Sequence, residues 1–349
     1  MARKMILDLD TGIDDALAIA YAVASPEVEL VGVTTTYGNV TVDTAARNSL
    51  AVLEALGAGD VPVHVGLAHS RTSASFAPSE HVMRIHGRNG LGEADFPEPA
   101  GRPTDRDAVD VIIEAAHEWG EDLLYVPTGS STNVAAALEK DPSIKDLMGP
   151  ITMMGGALTV EGNVTACAEA NVAHDPEATD LLLRSGAPVV MVGLDVTHQT
   201  LLTKVETSAW RETGTEVGRL YAEMTDYYID FETQAVAIPG CALHDPLAVA
   251  VAIDPSLVTL LPINLQVDLA GPTRGRTIGR LDGLSDPVKS ARVAVEVDTE
   301  RFLGEFTRRL GGLLALEAVA RGLRADQLVL WDLPASGRSW IDELLVLDQ

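Results

Sequence analysis

Short apolar runs alternate with longer amphipathic segments along the first third of the chain. The apolar runs are rich in Val, Ile and Leu, as strands are, and the segments between them have the composition of helices. The predicted strands span 5–9, 28–36, 61–66 and 122–127, and the predicted helices span 15–24, 42–56 and 107–119. Strands that alternate with helices form a parallel sheet covered on both faces. In such sheets, ligand sites lie beyond the carboxyl ends of the strands.

The alternation resumes in the rest of the chain and supports the same architecture. Further strands are predicted at 151–156, 188–195, 261–269 and 291–298, with helices from about 133, at 204–236, 244–253 and 301–320, and an irregular tail beyond. No internal repeat and no clear linker interrupts the pattern. We therefore predict an α/β fold: a single domain, residues 1–349, with a Rossmann-like, mostly parallel sheet flanked by helices.

One long segment, residues 67–105, breaks the alternation. It is rich in Ser, Pro, Gly and Arg, and it contains His81 and His86. A loop of this length inside a compact domain is usually functional or disordered. We predict that it forms a flap over an active site.

Four aspartates crowd the end of the first predicted strand. Strand alternation places Asp8 and Asp10 on one side, Gly12 permits a sharp turn, and Asp14 and Asp15 follow at the start of a helix. A single aspartate there would be explained as a helix cap. Four within eight residues repel one another unless a cation shares them, and hard oxygen ligands suit Ca²⁺ or Mg²⁺ rather than zinc. The segment therefore predicts a metal site.

Composition narrows the possible partners and the location. The formal net charge is −26, from 51 acidic and 25 basic residues. The negative electrostatic potential of such a chain disfavours nucleic acid and anionic membranes as partners. No run of about 18 uncharged apolar residues is present, and the first residues lack a signal-peptide pattern, so we predict a cytoplasmic protein. Cys167 and Cys241 are expected to be free thiols.

The acidic segment, Asp8-x-Asp10-x-Gly12-x-Asp14-Asp15-Ala16, resembles the N-terminal signature of the inosine-uridine nucleoside hydrolase family. Further matching blocks follow in the family's order, between about residues 5 and 250. They are Thr35-x-Tyr37-Gly38-Asn39, Pro127-Thr128-Gly129 with Thr132-Asn133, Met154-Gly155-Gly156, Glu161-Gly162-Asn163, Ala168-Glu169-x-Asn171 with Asp175-Pro176-Glu177, Gly193-Leu194-Asp195-x-Thr197-His198 and His244-Asp245-Pro246. The resemblance implies the nucleoside hydrolase fold and a small-molecule ribonucleoside substrate. It also implies a homodimer or homotetramer.

The resemblance also implies the reaction and its metal. A Ca²⁺-bound water would cut the N-glycosidic bond of a ribonucleoside and release free base and ribose. The implied calcium ligands are Asp10, Asp15, Asp245 and the backbone carbonyl of Thr128, together with ribose hydroxyls. Asp10 would also be the general base. His244 would be the acid that protonates the leaving base, a task that suits a side chain with a pKa near neutrality.

The resemblance also implies which residues bind the ribose and the base. Those expected to bind ribose are Asp14, Asn39, Asn163, Glu169, Asn171 and Asp245, with Met154 packed near the sugar. Amides and carboxylates are suitable partners for sugar hydroxyls. Asp8 is expected to hold the neighbouring site residues in place without binding the metal itself. His86 and Tyr228 are expected near the base.

Two positions depart from the family pattern. The flap carries Arg84-Ile85-His86-Gly87 where broad-specificity members tend to have His-x-His-Gly. In the helix that holds Tyr228, family members often place a second aromatic one turn later, and in this chain that position falls near Glu232, although Phe231 is adjacent. Both segments belong to base recognition or leaving-group activation. The preferred base is therefore left open.

Three other functions compete with this one. A haloacid dehalogenase-type phosphatase also opens with Asp-x-Asp at a strand end, but Gly12-x-Asp14-Asp15 fits it poorly. A nucleoside- or ribose-binding protein without catalysis is disfavoured by the retained Asp10 and His244. The third alternative keeps the fold and acts on a modified or otherwise ribosylated metabolite.

Overall fold

The computed structural model describes residues 2–235 and 239–320, in which strands and helices alternate. The strands are β1 (Arg3–Leu9), β2 (Val28–Thr35), β3 (Val63–Val65), β4 (Leu123–Pro127), β5 (Ile151–Met154), β6 (Val189–Val192), β7 (Leu201–Leu202), β8 (Cys241–Ala242), β9 (Val258–Ile263), β10 (Leu265–Val267), β11 (Thr277–Gly279) and β12 (Ala291–Val297). The helices are α1 (Ile13–Val23), α2 (Val42–Ala55), α3 (Glu80–His86), α4 (Ala108–Trp119), α5 (Thr132–Lys140), α6 (Ala170–His174), α7 (Pro176–Arg184), α8 (Leu194–Thr197), α9 (Lys204–Glu212), α10 (Glu216–Ala235), α11 (His244–Ile253) and α12 (Thr299–Ala320).

The central strands confirm the predicted mostly parallel α/β sheet. Strands β3, β2, β1 and β4 are hydrogen-bonded in that order, and every pairing is parallel. Strands β5, β6 and β12 are also parallel to one another, and β9 pairs antiparallel to β12 at the edge. Strand β4 lies beside β5, which brings the two groups of strands together. The order β3-β2-β1-β4 is that of a doubly wound sheet.

Alternation along β1 distributes its side chains between two hydrophobic clusters. Met5 and Leu7 belong to the cluster that includes residues of α1, α11 and α12, whereas Ile6 belongs to the one that includes α4, α5 and α7. Asp8 therefore follows Ile6 towards the second face. In the register of β1, Asp8 lies opposite Thr34 of β2 and opposite Pro127 of β4, so residues after Asp8 emerge where all three strands end.

Capping side chains mark where several helices begin. Thr41, Asp107 and Asp175 accept backbone N–H groups at the starts of α2, α4 and α7, and Thr203 forms a reciprocal capping box with Glu206 at α9. Each cap satisfies an amide that the helix itself leaves unpaired and contributes about 1 kcal/mol.

The predicted and observed elements differ at 204–236, at 67–105 and at 261–269, where the single predicted strand is replaced by β9 and β10, which belong to separate sheets. The predicted helix over 204–236 is two helices, α9 and α10, because Gly214 adopts a positive φ of 69° between them. The segment 67–105 contains the short helix α3, which the sequence pattern did not predict. The predicted tail beyond residue 320, like Val236, lies outside the described residues. In the described ranges, no helix combines the length and apolar character that a bilayer-crossing helix needs.

Candidate active site

The turn between β1 and α1 places three aspartates at the sheet's carboxyl edge. Asp10 comes directly after β1, and Asp14 and Asp15 lie in the first turn of α1. Gly12 separates them, and a Cβ there would lie 2.6 Å from Nδ1 of His86 and 2.7 Å from Nδ2 of Asn39. Only glycine therefore allows these two side chains to approach the turn.

Asn39, just beyond β2, holds Asp10 in place. Its backbone N–H donates to Oδ2 of Asp10 at 2.7 Å, and its side-chain amide donates to Oδ1 of Asp10 at 3.2 Å and to Oδ2 of Asp15 at 3.1 Å. The neighbouring Gly38 passes so close that a Cβ there would lie 1.9 Å from Oδ2 of Asp10. The orientation of the Asp10 carboxylate is thus set by the backbone of Gly38 and Asn39 together with the side-chain amide of Asn39.

Asp14, Asp15 and Asp245 converge on one point. Each offers a carboxylate oxygen within 4.8 Å of the others, and all three side chains are buried. Asp245 reaches the cluster from the first turn of α11, and the Thr128 hydroxyl donates to Oδ1 of Asp15 at 2.9 Å. Oδ1 of Asp14 is buried and has no hydrogen-bond partner among the residues that the structure describes. A cation or a hydroxylated ligand would supply the missing partner.

Burial makes these carboxylates costly to ionise. It raises the pKa of Asp14 to about 8, with help from the charge of Asp15. Burial and then Asp15 raise the pKa of Asp10 well above its ordinary value, and burial with Asp14 and Asp15 does the same for Asp245. Burial also raises the pKa of Asp15, although a hydrogen bond from the Gly12 amide opposes it. Such a cluster is relieved by a bound divalent cation.

The backbone carbonyl of Thr128, which follows β4, lies at the same edge of the sheet. It accepts a hydrogen bond from Nδ2 of Asn171 at 2.6 Å, and that amide also lies 3.3 Å from the carbonyl of Met154 and 3.2 Å from its sulfur. Met154 is buried in the core. The structure thus brings the predicted metal-ligand carbonyl into contact with Asn171, a predicted ribose residue, which in turn contacts Met154.

Glu169 and Asn163 both bind the start of α6. Glu169 accepts from the amides of Asn171, Val172 and Gly156 at 2.9, 3.2 and 2.8 Å, so both of its oxygens are occupied by backbone N–H groups. Asn163 is exposed, and its Oδ1 accepts from the amide of Ala170 at 2.9 Å. These two side chains are therefore helix caps in this structure.

His86, at the end of α3, occupies the other side of the turn. Its Nδ1 accepts from the amide of Ile13 at 3.2 Å and lies 3.9 Å from Oδ1 of Asp14, and its ring is 5.7 Å from that of Tyr228 on α10. Burial lowers the pKa of His86 to about 3. The ring is therefore neutral, and because Nδ1 accepts, the hydrogen is on Nε2.

His244 begins α11, next to Asp245. Its Nδ1 lies 2.8 Å from the Thr197 hydroxyl, and its ring is 5.7 Å from that of His198. Burial, followed by the neighbouring His198 and His86, lowers the pKa of His244 to about 3. Burial therefore places this pKa below the near-neutral value expected for a free imidazole, because a buried imidazole disfavours its charged form.

Asp8 lies behind this edge, in a buried polar network that the sequence did not reveal. Its carboxylate accepts from Thr34 at 2.8 Å, from Tyr125 at 2.7 Å and from Asn133 at 2.8 Å. The same Asn133 accepts the amide of Leu67, where the segment 67–105 starts, at 2.9 Å. In the sequence, Pro127-Thr128 and Thr132-Asn133 were recognised only as motifs of the family, and the hydrogen bonds to Asp8 were not predicted from them.

The two departures from the family pattern lie in different surroundings. Arg84 is exposed, and its nearest partner is the carbonyl of Glu80 in the same helix. Glu232, one turn after Tyr228 on α10, is partly buried, and burial raises the pKa of its carboxyl.

Fold and site together define a class: an α/β protein whose strand ends carry buried carboxylates suited to a cation and to a hydroxylated ligand, with neutral histidines beside them. Residues 5–304 match the model of the inosine-uridine preferring nucleoside hydrolases. The chain belongs to this family, whose members hydrolyse ribonucleosides.

Individual relatives cover nearly the whole described chain. The pyrimidine-specific ribonucleoside hydrolase RihA of Citrobacter koseri is 35% identical over 89% of this chain and 98% of its own. The solved structure of a purine-preferring ribonucleoside hydrolase from Gardnerella vaginalis is 56% identical, with a TM-score of 0.89 over 90% of this chain and 100% of its own. A plant nucleoside hydrolase, PpNRh1, is 34% identical, with a TM-score of 0.82 over 89% of this chain and 99% of its own.

Proposed function

We propose that this protein cuts the N-glycosidic bond of ribonucleosides with a calcium-activated water, with Asp10 as general base and His244 as the group that assists the leaving base. The observation that carries the proposal is the convergence of Asp14, Asp15 and Asp245, with Asp10 bridged to Asp15 by Asn39 and with one buried carboxylate oxygen that has no hydrogen-bond partner in the described part of the chain. The mechanism below follows from the placement of these side chains.

The residues present fit a calcium ion. Asp10, Asp15, Asp245 and the carbonyl of Thr128 would hold it, and Asp14 is close enough to contribute an oxygen. Carboxylates and carbonyls are the ligands that Ca²⁺ prefers, and their raised pKa values show how strongly the site favours added positive charge. When bound, the ion would orient the attacking water and lower its pKa.

Asp10 is suited to take the proton from that water. Asn39 donates to both of its oxygens, so the carboxylate is fixed at the strand end. Attack at the anomeric carbon breaks the C–N bond, and the electron pair of that bond moves onto the base nitrogen. The neutral ring of His244 would assist as a hydrogen-bond donor to that nitrogen, as a neutral imidazole does elsewhere. The base then takes up a proton, and Asp10 returns one to solvent.

Ribose would bind across the same edge. Oδ1 of Asp14 needs a donor, and a ribose hydroxyl supplies one. Asn39, Asn171 and Met154 line the same region, whereas Glu169 and Asn163 would hold the sugar through the loop that they cap. A site that leaves a buried acceptor unpaired without the hydroxyl discriminates against deoxyribose.

The base would lie towards His86 and Tyr228. We propose purine ribonucleosides as the preferred substrates, because the purine-preferring relative shares 56% identity with this chain and the pyrimidine-specific one 35%. We also propose that the chain is one domain, that residues 67–105 act as its flap, and that it assembles as a homodimer or homotetramer in the cytoplasm. His86 at the end of α3 would be the flap's contact with the substrate.

A substrate panel tests the proposal. Purified protein with calcium is incubated with purine and pyrimidine ribonucleosides and their 2′-deoxy forms, and free base and sugar are both quantified. We expect equimolar base and ribose, faster release from purines, and rates about a hundredfold lower for the deoxy forms. Asp10→Asn is the inactive control. Absence of base release from every nucleoside, with the fold intact by circular dichroism, would overturn the proposal.

A further inference from the structure

Thr197 ends the short helix α8 and is fully buried, with its hydroxyl directed at one ring atom. Oγ1 of Thr197 lies 2.8 Å from Nδ1 of His244. Within the described part of the chain, Oγ1 has no other hydrogen-bond partner, so Nδ1 is the available acceptor for its hydrogen. Nε2 of His244 likewise has no partner among the described residues.

The direction of this hydrogen bond follows from the burial of Thr197. If the hydroxyl accepted a hydrogen from Nδ1, its own hydrogen would be buried without an acceptor, which proteins avoid. A hydroxyl that donates to Nδ1 satisfies both groups. Nδ1 then carries no hydrogen, and the neutral ring must carry its hydrogen on Nε2.

We propose that Thr197 is a positioning residue of the reaction: its hydroxyl fixes His244 as the Nε2–H tautomer, with Nε2 directed at the leaving base. This inference rests on the function proposed for His244. Without the hydroxyl, the ring can place its hydrogen on Nδ1 and would then present a lone pair to the base. A lone pair repels the electron pair that arrives on the departing nitrogen.

The surrounding backbone makes this contact rigid. Asp195 of α8 accepts the amides of Leu158 and Thr159 at 2.9 and 2.7 Å, which ties α8 to the loop after β5. The amide of Leu243, directly before His244, donates to the carbonyl of Thr200 at 2.9 Å. The segments that carry the hydroxyl and the imidazole are therefore joined next to their contact by the bond from Leu243 to Thr200, and α8 is also held by the loop after β5.

Thr200 provides a matched control in the same turn. It is fully buried like Thr197, but its hydroxyl donates to the carbonyl of Thr197 at 2.9 Å and does not reach the imidazole. Replacement of either threonine by valine removes one buried hydroxyl and keeps the shape. Only Thr197→Val removes the partner of His244.

The test compares Thr197→Val, Thr197→Ser, Thr200→Val and His244→Ala on a purine nucleoside and on 4-nitrophenyl riboside, whose leaving group needs no assistance. We expect Thr197→Val to lower kcat on the nucleoside by about tenfold or more while the nitrophenyl rate stays within about twofold. Thr197→Ser should restore the nucleoside rate, Thr200→Val should retain it, and Thr197→Val should add no loss in the His244→Ala background.

Two outcomes separate this inference from the function on which it rests. Equal losses of His244→Ala on both substrates would remove the role of His244 itself. A selective loss in His244→Ala together with equal losses, or none, in Thr197→Val would overturn the role of Thr197 alone. Long-range ¹⁵N spectra of the imidazole nitrogens give a second readout. They should show His244 as the Nε2–H tautomer in the parent protein, and an Nδ1–H signal there would contradict the inference.

Discussion

The site has a carboxylate end, formed by Asp10, Asp14, Asp15 and Asp245, and a base end, formed by His86 and Tyr228, where the nucleobase would bind. The two ends are built in different ways. Asp10 and Asp15 are fixed by backbone amides at the ends of parallel strands and at a helix start. His86 and Tyr228 lie on the helices α3 and α10, and their rings pack against each other; within the described residues, the His86 ring accepts one backbone hydrogen bond, from Ile13. The first end is therefore set by the sheet, whereas the second is set by side chains of two helices, of which His86 also touches the turn that carries Asp14.

The largest effect is expected at the carboxylate end. Asp10→Ala removes the general base together with a proposed calcium ligand, and kcat should fall by about a thousandfold or more. Circular dichroism should show an unchanged fold, because the strand and turn keep their backbone contacts. A loss below about tenfold would show that Asp10 does not take the proton.

A backbone change should break the same end without altering any carboxylate. In Gly38→Ala the new Cβ would lie 1.9 Å from Oδ2 of Asp10, so the carboxylate must move, and kcat should fall by about a hundredfold. Gly32→Ala on β2 is the matched control, because its nearest neighbours would be 3.8 Å away. Similar rates for the two variants would contradict the close approach.

Metal removal should make the free energy of unfolding depend on pH through the carboxylate end. Burial raises the pKa of Asp14 to about 8 and raises those of Asp10, Asp15 and Asp245, whereas burial lowers the pKa of buried histidines, that of His244 to about 3. Between about pH 7 and 8 the histidines of the unfolded chain have already lost their protons, so the carboxylates dominate and the folded protein binds more protons than the unfolded chain. The free energy of unfolding of metal-free protein should therefore fall as pH rises through this range.

Thermal melting measures this dependence. The Tm of chelated protein should be lower at pH 8 than at about pH 7, and calcium should raise Tm more at pH 8, where protons compete less for the carboxylates. A calcium-induced shift that is equal at both pH values would argue against binding by this cluster.

The smallest effects are expected at the base end. Tyr228→Phe keeps the ring contact with His86 but removes a hydroxyl near the predicted base, so the purine-to-pyrimidine ratio of kcat/KM should change by less than about tenfold. The rate on 4-nitrophenyl riboside should stay within about twofold, and Tyr227→Phe is the neighbouring control. A uniform loss on every substrate would place Tyr228 at the carboxylate end instead.

The same contrast explains how much the sequence could predict. Strand alternation and the spacing of Asp8, Asp10, Asp14 and Asp15 were enough to predict a carboxylate cluster at a strand end, because neighbours in sequence stay neighbours in a strand–turn–helix unit. The break between α9 and α10 was not predicted, although the sequence contains a local signal for it, since glycine is a typical helix end and Gly214 lies between the two helices.

Contacts between distant segments could not be predicted in this way. Thr197 and His244 are 47 positions apart in the sequence, and Asp8 and Asn133 are 125 positions apart, so no local sequence pattern predicts either hydrogen bond. The low pKa of His244 has the same origin, because it depends on burial by the whole fold. The helix α3 was missed because its seven residues lie within a segment rich in Ser, Pro and Gly.

The central claim is that a cation held by the strand-end carboxylates supports cleavage of ribonucleosides, and metal depletion tests it most directly. Base release from inosine is measured on purified protein, after exhaustive chelation, and after calcium is added back. The account predicts that activity disappears on chelation and returns with calcium, and that Asp245→Asn needs a higher calcium concentration for half-maximal rate. Full activity in chelated protein would contradict it.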